Sequence, residues 1–131
     1  MKAKLLITLV VLCLIFGCSR PKTVRSLGPL NLPITITNAI VLSEGVAGEK
    51  TWILKAQLSQ SDVQAIVNGL YLNQLPFDLR LASIVSVSRH LPAVPPGGTI
   101  SYYAGHSTTA PGSLKLFVTS DGRIVLILEQ V

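Results

Sequence analysis

The chain has 131 residues, 49% of them hydrophobic, and eleven Lys and Arg against six Asp and Glu give a net charge of +5. That length accommodates one domain of ordinary size. The excess charge does not mark a nucleic-acid binder, because five basic residues (Lys2, Lys4, Arg20, Lys22 and Arg25) precede residue 30 and the remainder carries six basic and six acidic groups; basic charge gathered at one end suits export and membrane headgroups better than a phosphate backbone.

Lys2 and Lys4 open the chain, and Leu5 to Phe16 is an apolar run broken only by Thr8. As a helix it would be about 18 Å long, too short for a hydrocarbon core of about 30 Å, so residues 1–17 read as a cleavable signal peptide. Ile15-Phe16-Gly17-Cys18 resembles the lipobox of bacterial lipoproteins, with an aliphatic residue at −3 and a small one at −1; Phe16 at −2 departs from the small residue usual there. The resemblance covers about the first twenty residues. It implies thioether lipidation of Cys18, cleavage before it and acylation of the new N-terminus. It also implies an extracytoplasmic, membrane-anchored protein, and Ser19 lacks the Asp that favours inner-membrane retention in Gram-negative bacteria, so the periplasmic face of the outer membrane is expected there. Cys13 would leave with the signal peptide, and the mature domain would fold without disulfides or cysteine-bound metal.

Residues 18–33 carry three prolines and one glycine among polar residues and read as a lipidated N-terminus and flexible tether. A single domain is expected over 34–131. Ile34–Leu42 and Thr51–Leu58 alternate apolar and polar positions around a glycine-punctuated turn, which predicts an antiparallel hairpin. In the first strand Ile34, Ile36 and Asn38 should share a face, and in the second Trp52, Leu54, Ala56 and Leu58.

Ser61-Asp62-Val63-Gln64 fits a capping box, and Val63, Ile66, Val67 and Leu70 form one apolar stripe. A short helix over about 61–69 follows, with Gly69 as its left-handed terminator. Leu81–Ser88 reads as a strand although its spacing also suits a helix. Residues 90–113 are dense in Pro, Gly, Ser and Thr and should form a loop containing a short strand, Thr99–Ala104. Leu114–Thr119 and Arg123–Glu129 flank Ser120-Asp121-Gly122, a strong hairpin signal. The expected fold is α+β: a small antiparallel sheet of about four to six strands with one helix packed on a face.

Little in this pattern suggests catalysis. His90 and His106 are isolated, and a Ser–His–Asp set drawn from His106, any of seventeen Ser and Thr residues after position 33, and Asp121 or Asp78 has no nucleophile-elbow spacing behind it. No metal-ligand spacing occurs, and Pro95-Pro96-Gly97-Gly98 lacks the Gly-Lys-Ser/Thr of a phosphate loop. No catalytic residue, metal or cofactor is expected. Trp52 reads as core. Tyr102 and Tyr103 must point to opposite faces of a strand, one core and the other at least half exposed. Tyr103 with His106, beside the Gly/Pro loop, is the candidate contact site. Only twelve residues after position 33 are charged, about half the usual share, so Ser, Thr, Asn and Gln must cover the exterior and some apolar surface stays exposed; this reads first as a hydroxyl-rich coat, and alternatively as a surface covered by a partner, another copy or the membrane interface. The functional expectation is an envelope lipoprotein with a non-enzymatic binding or assembly domain, its partners the membrane and an envelope protein or itself. The alternatives are a hydrolase-like enzyme with an unrecognised site or an inhibitor of an extracytoplasmic enzyme.

Overall fold

The computed structural model describes residues 20–46, 48–77, 91–107 and 112–130. The described residues form one antiparallel sheet of seven strands and one helix, in the order β1 (Lys22–Leu27), β2 (Leu30–Val46), β3 (Glu49–Gln57), α1 (Gln60–Gly69), β4 (Asn73–Leu75), β5 (Ile100–His106), β6 (Ser113–Thr119) and β7 (Arg123–Gln130). Across the sheet the strands run β1-β2-β3-β7-β6-β5-β4. The count exceeds the expected four to six because β1 and β4 join the strands the alternation predicts.

Both expected hairpins form. β2 and β3 pair from Ile40↔Lys55 to Val46↔Glu49, and β6 and β7 pair from Ser113↔Glu129 to Val118↔Ile124. Gly122 closes the second hairpin with φ +88°, and a Cβ there would fall 2.4 Å from the Leu58 carbonyl oxygen. The turn therefore requires glycine both for its backbone angle and for its seat against the end of β3.

Two expectations about the N-terminal strands are corrected. The stretch read as a tether supplies β1 and the start of β2 from Lys22 onward, with Leu27 and Leu30 wholly or almost wholly buried. Its prolines are accommodated because Pro29 lies in the β1–β2 turn and Pro33 sits on a strand whose partner covers only one side. The predicted alternation of Ile34, Ile36 and Asn38 also breaks at its last member. Asn38 adopts φ 54° and is exposed, and the buried positions shift from even to odd, Ile36 giving way to Ala39 and Val41. Asn tolerates the left-handed region better than other side chains, and one residue in that conformation exchanges the faces of everything after it.

The helix begins two residues earlier than the capping box suggests. Ser59 is the N-cap, its hydroxyl accepting from the Asp62 amide at 3.3 Å. This start places Leu58 and Val63 at the two positions of a hydrophobic staple, and both belong to the same apolar cluster. A cap at Ser61 would put Gln60 and Ala65 there instead. Gly69 remains inside the helix, packed so closely on Pro33 that a Cβ would approach its ring to 2.4 Å. The left-handed residue is Tyr71, φ 55°. The amides of Tyr71 and Leu72 donate to the carbonyls of Asn68 and Val67, at 3.3 and 2.9 Å, the paired bonds of a Schellman termination.

The sheet buries both faces. On one, Val63, Ile66, Val67 and Leu70 of α1 pack with Leu27, Leu30, Ile36, Leu54, Leu116 and Leu126. On the other, Ile53, Tyr102, Phe117, Val125 and Ile127 form a second cluster with Phe77 and Leu91 against it. The central strand β7 is accordingly buried at five successive residues, Ile124 to Leu128. The strand expected over Leu81–Ser88 lies outside the described residues.

Candidate functional site

The helix face of the sheet is incompletely covered. α1 lies over the β2 side, and between its first turns and strands β5 and β6 a groove of about 440 Å³ remains open. Three segments build it. The staple residues Leu58 and Val63 form its floor with Val118; Gln60 and Gln64 project from the helix; Ser101 and Tyr103 stand on β5; and the β6–β7 turn closes one end with Ser120 and Asp121.

Hydrogen bonds hold that turn in place. The Leu58 amide donates to the Gly122 carbonyl at 2.8 Å, and the Ser120 amide donates to the Thr99 carbonyl at 2.9 Å. The Thr99 amide donates in return to Ser120 Oγ at 3.2 Å, which docks the Pro95–Gly98 turn, itself closed by a 2.8 Å bond from the Gly98 amide to the Pro95 carbonyl, onto the hairpin tip. Thr119 is the one buried polar side chain among the described residues. Its hydroxyl donates to the Asp121 carboxylate and accepts from the Arg123 amide at 3.1 Å. Arg123 Nε lies 3.1 Å from the other Asp121 carboxylate oxygen. The Thr119 hydrogen bond chiefly, with Arg123 beside it, holds the Asp121 carboxyl below the usual carboxylate range, so the groove carries a fixed negative charge at its end.

Tyr102 and Tyr103 divide as a strand requires. Tyr102 is buried on the face away from the helix, stacked on Phe117 with ring centroids 5.0 Å apart, and burial pushes its phenol up. Tyr103 is half-buried and lines the groove. His106 is exposed at the end of β5, opposite Ser113. It lies three positions along the strand from Tyr103, so the two side chains point to opposite faces, and the fold does not join them into one site. Trp52 is half-buried against the helix-side cluster, its Nε1–H donating to Gln130 Oε1 at 3.2 Å. Cys18, Asp78 and His90 lie outside the described residues. Among the described residues no group of three or more His, Cys, Asp or Glu side chains could hold a metal ion, and no helix is long and apolar enough to cross a membrane.

The groove can therefore offer amide and hydroxyl hydrogen bonds, one ionised acceptor and a phenol wall over an aliphatic floor. Nothing in the sequence marked Gln60, Gln64, Ser101 and Ser120 as one site, because three separate segments contribute them, and the motifs that hold Gln64 and Ser120 signal a helix start and a turn. Compared with protein-family models, curated proteins and solved structures, the chain matches none.

Proposed function

We propose that this chain is a lipid-anchored protein of the bacterial cell envelope whose domain acts by binding through the groove between α1 and strands β5 and β6. The anchoring rests on the lipobox-like Ile15-Phe16-Gly17-Cys18 behind a short basic and apolar leader. The binding rests on one observation, the composition of the groove: the amides and hydroxyls of Gln60, Gln64, Ser101 and Ser120 with one carboxylate, Asp121, around an aliphatic floor, with Tyr103 as an aromatic wall. Such a lining favours capture of a polar partner segment carrying one apolar side chain, and Asp121, committed to Thr119 and Arg123, serves better as a fixed acceptor than as a proton carrier.

The test is a photo-crosslinking residue introduced at Gln64 in native membranes, with Glu49 as the control position. A discrete adduct from position 64 that disappears with Ser101→Arg, while the variant stays folded, supports the reading. Adducts equal at both positions, or unaffected by Ser101→Arg, overturn the groove as the site. In the same cells Cys18→Ala should abolish fatty-acid labelling and leave unprocessed precursor; persistence of the label would remove the anchor.

A further inference from the structure

On the sheet face away from the helix, we infer a second binding site, a cavity lined by Lys55 and Arg123 that takes a small organic anion with a phosphate or carboxylate head and a short aliphatic body. The cavity is about 400 Å³, bounded by the middle of β2 at Asn38 and Ile40, the end of β3, the start of β7 and Leu91–Ala93. It is separate from the groove, which lies across the sheet.

The register dictates the charge pattern. Lys55 stands opposite Val125 and Arg123 opposite Gln57, so the two cations are diagonal neighbours on one face, close enough for long side chains to meet. The same face contains a matched case. Lys115 stands opposite Ile127, with Glu129 on its diagonal, and there the charges pair, Nζ to Oε1 at 2.9 Å. At the equivalent diagonal Lys55 faces a like charge. Asp121 answers Arg123 at 3.1 Å, which leaves half-buried Lys55 without an ionic or hydrogen-bond partner among the described residues. A partly desolvated ammonium beside a guanidinium is unfavourable unless an anion lies between them, and the two together present the donors that grip phosphate or carboxylate. Asn38 and Gln57 add amides to the same wall, while Ile40, Val125 and Leu91 supply an apolar surface for the ligand's body.

The test uses the full chain and butyl phosphate as probe. Acylation of lysines by a limiting amine-reactive acetyl ester is followed by mass spectrometry, with exposed Lys50 as the internal reference. Butyl phosphate should slow modification of Lys55 and leave Lys50 unaffected; butanol should protect neither, and inorganic phosphate should protect Lys55 only at higher concentration. Arg123→Gln, which removes one charged donor, should raise the half-protecting concentration by about tenfold. Lys55→Met should raise the melting temperature of the free protein and abolish the further rise that butyl phosphate gives the parent. Equal protection of Lys50 and Lys55, protection by butanol as strong as by butyl phosphate, or a Lys55→Met variant less stable than the parent would each overturn the site.

Discussion

A tyrosine at φ 55° occupies a conformation that costs an L residue with a Cβ roughly 1–2 kcal/mol relative to glycine. Tyr71 is held there by the two amide bonds that end α1, and its side chain is 74% exposed. Tyr71→Gly should therefore raise stability by about 1 kcal/mol, read as a melting temperature several degrees higher; a lower one would mean that the ring makes contacts worth more than the strain. Asp121 gives a residue-scale prediction of opposite kind. Its folded carboxyl titrates below the ordinary value of about 3.9, the Thr119 hydrogen bond being the first cause and Arg123 a further one. The tie thus contributes fully above about pH 4 and is lost as pH falls through the lower folded value. Asp121→Asn should lower stability at neutral pH and flatten its decline as the pH falls below about 5; thermal melts over that acid limb showing an unchanged slope would refute the assignment. At this scale the sequence was partly legible. Gly122 was identifiable because Asp-Gly between apolar runs has few other uses, whereas Gly69 misled: glycine after a helical stripe signals a stop, but here Pro33, distant in sequence, requires a residue without a side chain.

The elements differ in how local their causes are. β6 and β7 follow from alternation and turn chemistry that lie within one stretch of chain, and they form as expected. The start of α1 is contested locally, since both Ser59 and Ser61 can cap, and Leu58 at the staple position decides between them. Ser59→Ala should cost about 1 kcal/mol and Ser61→Ala much less, because Ser61 makes only an exposed hydroxyl contact to Ser59 at 3.1 Å. Urea denaturation of the two variants separates the caps; the reverse order would restore the later start. β1 was illegible for a different reason. Lys22–Leu27 has no apolar stripe, and its two β-branched residues, Thr23 and Val24, stand among charged and polar ones between prolines; it becomes a strand because β2 extends beyond the reach of β3 and presents an open edge, which Lys22 to Leu27 pair along from Ala39 back to Leu30. The groove shares this property, being assembled by topology from segments that hold no motif.

At the scale of the molecule, the N-terminal hairpin determines how far the proposed anchor would let the domain reach. With Cys18 as the proposed anchor and β1 beginning at Lys22, only residues 19–21 separate them, a span of at most about 14 Å where a tether through residue 33 would have allowed several times more. The domain would be held against the bilayer, with exposed Arg20, Lys22 and Arg25 facing headgroups that attract them, and it could engage only partners close to the same surface. All of this depends on the hairpin being part of the core and not a detachable strap. Leu30 is the decisive residue. It is 2% exposed and packs in the cluster that contains Val63, Ile66 and Leu126, and the turn before it rests on Trp52, where a Cβ on Gly28 would fall 2.4 Å from the indole. Leu30→Ala removes buried methyl groups from that cluster and should destabilise the whole domain by about 2–4 kcal/mol, in one cooperative urea transition with an unchanged slope. Were the hairpin a strap that unfolds by itself, the same substitution would leave the main transition in place and add a minor one at low denaturant. Observing that second pattern would lengthen the tether again and release the domain from the membrane surface.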